Sequence, residues 1–147
     1  ETGSVRLAAM FNAAVGLTVL VLHFSSKANG YESRVSNISA GEKEAQKLDR
    51  APTLVLATAA LTGDLAMDEE DVCAAAAAIT LVLLAATERG IATYWRTPQV
   101  LRTKAGREAV GIPAGERFLG LLHFGSAERE PAPREREPVD RYVEFLP

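Results

Sequence analysis

Residues 68–90 read DEEDVCAAAAAITLVLLAATERG and are the clearest secondary-structure signal in the chain. Asp68 is a suitable N-cap, and the acidic residues after it lie where the helix dipole favours negative charge. Gly90 supplies a left-handed stop directly after Arg89. Because the residues between these ends are apolar on every side, the pattern predicts a long central helix buried all round. A membrane span is the alternative, but the uncharged part, residues 72–87, is shorter than the roughly 20 residues that a bilayer core requires.

Apolar runs on both sides of this helix have the length of strands. Leu17–Phe24, Pro52–Thr58 and Glu116–Phe124 are rich in aliphatic and β-branched residues, which predicts three core strands. Ile91–Trp95 predicts a further strand or extended turn that leaves the helix. Val139–Leu146 alternates between apolar and polar residues and predicts a final strand that needs a partner to pair with.

Shorter segments predict additional helices. Val5–Ala14 is rich in Ala and predicts a short buried helix, and Gly41–Asp49 predicts an exposed one. Thr97 and Pro98 predict an N-cap followed by the first position of a helical turn. Thr103–Val110 predicts another short helix. Together with the strands, these elements predict an α+β fold in which a mainly antiparallel sheet packs against helices.

Two polar segments predict irregular structure within one domain of residues 1–147. Ser25–Ala40 is rich in Ser, Asn and Gly, which predicts a loop. Ser126–Pro138 reads SAEREPAPREREP and predicts an extended, solvated connector to the final strand. A proline-rich partner ligand is the alternative for this segment. The chain begins at Glu1 without the pattern of a secretion signal, and we expect this end to be processed or shortened.

The composition excludes several classes of protein. The 147 residues are 48% hydrophobic and carry a net charge of −3, which fits one globular domain and argues against disorder and against a nucleic-acid partner. The only cysteine, Cys73, excludes an intramolecular disulfide and a Cys-based zinc site, so we expect a reducing, cytoplasmic setting. We interpret Cys73 as a small core residue.

The sequence holds no standard hydrolase, nucleotide-loop or metal motif. GxGxxG, GxxxxGK[ST], HExxH, CxxC and GxSxG are all absent. His23 and His123 each lie within an apolar run, where a hydrogen-bonded structural histidine is the expected role. We therefore predict no metal site and no hydrolase chemistry.

Residues 89–98, RGIATYWRTP, place an aromatic face, a guanidinium and a hydroxyl together at the exit of the long helix. A planar, electron-accepting ring could use Trp95 for packing, Arg96 for charge on the reduced ring and Thr97 for a hydrogen bond. The alternative makes Trp95 a core anchor and Arg96 a surface ion-pair partner.

Several segments together resemble the nitroreductase family, in particular its small members with a W-R-[ST] motif. The matching segments are VRLAAMFNAAVGLTVLVLHF at 5–24, RAPTLVLATA at 50–59, ERGIATYWRTPQV at 88–100, AGREAVGIPAGERFLGLLHFGSAERE at 105–130 and RYVEFLP at 141–147. The resemblance implies a homodimer that binds FMN at the subunit interface. It implies hydride transfer from NAD(P)H to nitroaromatics, quinones or related small-molecule acceptors, without a membrane. It also implies that the C-terminal arm is exchanged in the dimer.

The resemblance also implies which residues contact the flavin. The residues that match family positions are Trp95, Arg96 and Thr97 of W-R-[ST], Gly90, Ile91 and Ala92 of the turn before it, and Arg134 or Arg136 near the FMN phosphate. Asn12 is the one counterpart of the family loop P-[ST]-x-x-N-x-Q-P-W. The family's N-terminal R-R-S-x-R pattern has no counterpart, so we expect the N-terminal flavin-binding arm to be absent. A flavin-poor dimer of this fold with a structural or sequestering role is therefore the alternative function.

Overall fold

The computed structural model describes residues 5–13, 16–26, 47, 51–129 and 132–145, and for the first two ranges it describes the backbone alone. The five strands form one antiparallel sheet in the order β1-β2-β3-β5-β4. The strands are β1 (Val5–Ala13), β2 (Gly16–Ser26), β3 (Thr53–Ala60), β4 (Ala92–Arg96) and β5 (Glu116–Gly125); the helices are α1 (Leu65–Glu88), α2 (Gln99–Arg102) and α3 (Lys104–Ala109), and Val139–Arg141 is a 3₁₀ turn. The fold is α+β, as predicted.

Two apolar clusters cover the two faces of the sheet. On the α1 face, Ala75 and Ile79 of the helix pack against sheet residues that include Leu122. On the opposite face, which we call the α2–α3 face, Leu101 and Ile112 pack against a second set of sheet residues. Successive strand residues point to opposite faces, so β3 and β5 contribute alternate side chains to the two clusters. These long apolar runs are buried because both faces are covered.

α1 is apolar on all sides, but only one side of it is covered. Leu81 is 66% exposed and Leu84 is 61% exposed, so the prediction that this helix is buried all round is wrong. Cys73, predicted as a core residue, also lies on an exposed position of α1. Among the described residues, α1 is the one helix long and apolar enough to cross a membrane, with 28% of its apolar window buried. The sheet covers one side of α1 and leaves an apolar outer side.

The N-cap of α1 is a different aspartate from the one predicted. The helix begins at Leu65, and its N-cap is Asp64, whose carboxylate accepts from the backbone N–H groups of Ala66 and Met67. Asp68, predicted as the cap, lies one turn inside the helix. Its carboxylate accepts hydrogen bonds from the backbone N–H of Thr62 at 2.7 Å and from the Thr62 hydroxyl at 2.9 Å. Asp68 thus ties the loop after β3 to the helix.

These hydrogen bonds hold the pKa of Asp68 below its ordinary value of 3.8, and the backbone N–H of Thr62 contributes most. Because the folded-state pKa is lowered, the ionised carboxylate stabilises the fold above the unfolded pKa, and this contribution is lost as the pH falls through the folded pKa. We expect Asp68→Asn to lower the thermal midpoint at neutral pH and to reduce its dependence on acid. Thermal unfolding across the acid range measures both effects. Glu69→Gln, at the exposed neighbouring position, is the control and should leave the pH profile unchanged.

The N-terminal segment is a strand where a helix was predicted. β1 pairs with β2 along its whole length, from Val5 opposite Phe24 to Ala13 opposite Gly16. The prediction of a helix at Val5–Ala14 is therefore wrong. Hairpin pairing with the adjacent apolar strand overrides the helix propensity of the alanines.

The C-terminal segment does not form the predicted strand. Val139–Arg141 is a 3₁₀ turn, and Arg141 donates to the Glu137 carboxylate at 2.7 Å. Residues 142–145 are exposed, and no described strand pairs with them. An alternating pattern yields a strand only where a neighbouring strand offers hydrogen bonds. The prediction of a final strand at Val139–Leu146 is therefore wrong for the described part of this segment.

The remaining predictions differ in outcome. The described parts of Ser126–Pro138 have no regular secondary structure and are exposed, which agrees with a connector. Pro98, and not Thr97, occupies the N-cap position of α2. Of the loop predicted at Ser25–Ala40, only Ser25 and Ser26 are among the described residues, and they belong to β2. Of the helix predicted at Gly41–Asp49, only Lys47 is described, and it is helical.

Candidate functional site

β4 carries the Tyr-Trp-Arg segment at the edge of the sheet. Tyr94 lies opposite His123 of β5, and Trp95 lies opposite Leu122. Strand alternation sends Trp95 to the α1 face, where it packs against the buried cluster. Tyr94 and Arg96 point to the α2–α3 face. The indole and the guanidinium therefore lie on opposite sides of the sheet.

Trp95 is a core anchor, as the alternative interpretation predicted. Its indole Nε1 donates to the backbone carbonyl of Leu119 at 3.2 Å. The ring lies over Gly120, and a Cβ atom at that position would overlap the indole. Trp95 therefore fixes β4 against β5 and sets the direction in which the next residue points.

We expect Gly120→Ala to destabilise the protein by about 1–3 kcal/mol, because the added methyl group forces the Trp95 ring off its position. Urea unfolding followed by Trp fluorescence measures the change. Gly115→Ala is the matched control, since a Cβ there meets no atom within 4 Å. Equal stabilities of the two variants would contradict the packing of Trp95 on Gly120.

Arg96 lines a pocket of about 160 Å³ on the α2–α3 face, together with Tyr94 and His123. His123 is 5% exposed, whereas Tyr94 is 62% exposed. The two ring centroids are 6.2 Å apart at an angle of 53°. The half-buried Arg96 side chain thus lies beside one accessible and one buried aromatic ring. A planar guanidinium beside an accessible ring suits a flat, polar-edged ligand that gains negative charge.

Thr97 lines a different and larger pocket of about 520 Å³. This pocket lies at the end of the sheet where β3 and β4 end and β5 begins. Three guanidinium groups belong to its lining, those of Arg102, Arg107 and Arg117. We call it the arginine pocket.

Gly90 and Ile91 line a third pocket, of about 470 Å³, on the α1 face. Gly90 has a φ of 72°, so it ends α1 in the left-handed conformation that the sequence predicts. The walls of this pocket include Val82 and Phe124, which makes it mainly apolar.

The predicted cofactor residues are therefore only partly brought together. Ala92 and Arg96 line one pocket. Thr97 lines the arginine pocket, Gly90 and Ile91 line the pocket on the α1 face, and Trp95 packs in the core. Asn12 lies in β1 opposite Leu17, on the far side of the sheet from β4. Arg134 and Arg136 are exposed and lie in a segment without regular structure. His23 lies in β2 opposite Leu56.

Sequence reasoning missed the contribution of His123 to this site. His123 was interpreted as structural, and its burial agrees with that role, but its ring also forms part of the pocket beside Arg96. The cross-strand pair with Tyr94 brings it there, and a register between β4 and β5 was not predicted. The three arginines of the arginine pocket were also missed, because they come from α2, α3 and β5.

The groups that line the pocket beside Arg96 can bind and position a ligand. Within the described residues there is no group of three or more His, Cys, Asp or Glu side chains that could hold a metal ion. Cys73 lies on α1 and lines none of the three pockets described above. The described site offers a guanidinium, two rings and a strand edge, which can position and polarise a bound group.

Comparison with known proteins identifies relatives of this chain. The family model described as the nitroreductase family matches residues 7–126. YfhC of Bacillus subtilis (strain 168), provisionally named an NAD(P)H nitroreductase, is 30% identical over 78 residues, which are 52% of this chain and 40% of that protein. The chain thus matches less than half the length of this curated relative.

Solved structures show the same fold at low sequence identity. A nitroreductase-like family protein from Bacillus cereus superposes with a TM-score of 0.74 at 20% identity, over 88% of this chain and 73% of that chain. Iodotyrosine deiodinase, solved with FMN and 3-iodo-L-tyrosine, superposes with a TM-score of 0.56 at 20% identity, over 86% of this chain and 77% of that chain.

Proposed function

Since this chain belongs to the nitroreductase family, we propose that it is an FMN-dependent oxidoreductase. In this proposal, hydride passes from NAD(P)H to a nitroaromatic, a quinone or a related small-molecule acceptor in the cytoplasm. The observation that carries the proposal is the half-buried Arg96 beside Tyr94 and His123 at the edge of the sheet. FMN in the iodotyrosine deiodinase structure and NAD(P)H in the name of the Bacillus subtilis relative support the two cofactors.

The described residues fit FMN in their chemistry, although they do not enclose it. Arg96 and Tyr94 suit the polar edge and the flat face of a flavin ring, and arginines nearby suit a phosphate. A pocket of about 160 Å³ is smaller than the roughly 300–1,000 Å³ of sites that enclose a ligand. One chain therefore supplies only part of the wall of the proposed site.

The outer side of α1 supports a homodimer. Leu81 and Leu84 lie one turn apart on this side of the helix, and both are more than half exposed. Exposed apolar patches of this kind mark interaction sites in soluble proteins. In the proposed dimer this surface packs against the same surface of a second copy.

Each residue of the site then has a defined role. The Arg96 guanidinium donates to the polar edge of the bound ring and stabilises the negative charge that the ring gains on reduction. Tyr94 packs beside the ring, and His123 limits the depth of the pocket. Trp95 and Gly120 hold β4 so that Arg96 keeps its direction. FMN, when bound, supplies the two-electron hydride chemistry itself.

Steady-state oxidation of NADH and of NADPH tests this function. The 147-residue chain is incubated with FMN and then supplied with a quinone or a nitroaromatic compound. It should sustain oxidation of the nicotinamide only when the protein, FMN and the acceptor are all present. Dimerisation and flavin binding without turnover would favour the alternative of a non-catalytic dimer. Absence of turnover together with absence of flavin binding would contradict the proposal.

A further inference from the structure

The arginine pocket concentrates positive charge in a chain that is acidic overall. Its lining includes three arginines and one acidic residue, Glu116, whereas the whole chain has a net charge of −3. Within residues 51–129, no ion pair between a carboxylate and Arg102, Arg107 or Arg117 is present. The pocket therefore keeps a positive charge that a ligand can neutralise.

The corner between α2 and α3 holds two of these arginines at a fixed spacing. Arg107 donates to the backbone carbonyl of Arg102 at 2.8 Å. Thr103 donates to the Val100 carbonyl at 2.7 Å and accepts from the Gly106 N–H at 3.0 Å. The two helices approach so closely that a Cβ at Gly106 would overlap the Val100 carbonyl. This corner places Arg102 and Arg107 beside the same pocket.

The opposite side of the pocket is anchored in the core. Glu116 is buried, and its carboxylate accepts from the Thr58 hydroxyl at 2.6 Å. This bond fixes the start of β5, from which the exposed Arg117 side chain extends into the pocket lining. Thr97, adjacent to Arg96, adds a hydroxyl. The pocket thus adjoins the proposed flavin site and combines several donors with an excess of positive charge.

We propose that the arginine pocket binds a phosphate monoester carried by a nucleotide. Guanidinium forks match the oxygens of a phosphate in geometry and charge, and a phosphate monoester is the anion that best uses several of them. In the proposed reaction such a group occurs as the 5′-phosphate of FMN and as the 2′-phosphate of NADPH. The identity of the carrier rests on the proposed function, whereas the pocket's preference for phosphate does not.

Two pairs of ligands that differ by one phosphate test this proposal. Calorimetric titration of the full chain compares FMN with riboflavin and NADP⁺ with NAD⁺. We expect the phosphorylated member of at least one pair to bind about tenfold or more tightly, an effect that weakens as salt is raised. A preference in the flavin pair assigns the pocket to FMN, and a preference in the nicotinamide pair assigns it to NADPH.

Variants of the two exposed arginines decide whether this pocket causes the preference. Arg102→Gln combined with Arg117→Gln should remove the preference, while Arg102→Lys combined with Arg117→Lys should keep part of it. Arg89→Gln removes one positive charge from an exposed arginine at the end of α1, outside the pocket, and should keep the whole preference. Circular dichroism confirms that each variant is folded, and the Lys pair provides the test if the Gln pair is not.

The outcomes separate this proposal from the proposed function. Equal affinities within both ligand pairs, or a preference that survives in the folded Gln variant, would overturn the phosphate site. A preference for the phosphorylated ligands in a chain that shows no turnover would keep the site and reject the oxidoreductase. Turnover in a chain without any such preference would keep the oxidoreductase and reject the phosphate site.

Discussion

Substitution of Leu81 and Leu84 by lysine should convert the proposed dimer into monomers. Both side chains lie on the outer side of α1, where the sheet does not cover them. In a two-fold dimer each substitution enters the interface twice, so four ammonium groups would face an apolar surface. We expect the dissociation constant to rise by at least about 100-fold. Light scattering coupled to size-exclusion chromatography measures the change.

Because both leucines are exposed within one chain, this variant should retain its fold and its thermal cooperativity. Ala105→Lys, on the exposed side of α3, is the matched control and should remain dimeric. A wild-type chain that is monomeric in detergent-free buffer would contradict the dimer. Co-flotation of the wild-type chain with lipid vesicles would instead support the membrane alternative for α1.

Arg96→Gln should lower kcat/KM for NAD(P)H oxidation by about 10- to 100-fold, while the protein remains folded. The substitution removes the positive charge beside Tyr94 and His123 that stabilises the reduced ring. The same loss of charge should make the bound flavin harder to reduce. Stopped-flow reduction of FMN-loaded protein measures this directly, because it isolates the reductive step.

Two control variants separate charge from geometry at Arg96. Arg96→Lys keeps the charge without the planar fork and should fall between Arg96→Gln and the wild type. Arg89→Gln removes an exposed guanidinium that lines none of the three pockets described above, and this variant should reduce FMN at the wild-type rate. A wild-type rate for Arg96→Gln would contradict the assigned role of this residue.

Most of the sheet and the long helix could be predicted from local sequence. Pro52–Thr58 and Glu116–Phe124 are long apolar runs, and the structure places both in the centre of the sheet. Such runs leave little choice, because a segment that is apolar on both faces must be covered on both faces. The end of α1 was equally clear, since Gly90 takes the left-handed conformation that terminates a helix.

Errors arose where distant partners decide the structure. β1 has the alanine content of a helix, but its pairing with β2 determines its conformation. α1 was predicted to be buried all round because it is apolar on every side. A pattern of apolar residues does not reveal whether the same chain covers each side. Asp64 and Asp68 both suit an N-cap, and the contact of Asp68 with Thr62 distinguishes them.

Contacts between distant parts of the chain also decide the geometry of the candidate site. The Tyr-Trp-Arg segment was singled out from its sequence. The prediction of a strand or extended turn did not say whether Trp95 and Arg96 share a face. In the structure the segment is a strand, so alternation places the two side chains on opposite faces. The arginine pocket unites residues of α2, α3 and β5 through tertiary contacts. A run of neighbouring residues in sequence therefore predicted the candidate site, and the folded chain determines which of them share a pocket.

The most direct test of the central claim is a flavin-binding titration of the purified 147-residue chain. FMN is added in increments, unbound flavin is removed, and the visible absorbance spectrum and the mass of the released cofactor are recorded for the wild type and for Arg96→Gln. The account predicts saturable binding of one FMN per chain by the wild type, bleached on addition of NADH or NADPH, and weakened binding or slower bleaching in the variant. A wild-type chain that stays colourless after FMN is added would contradict it.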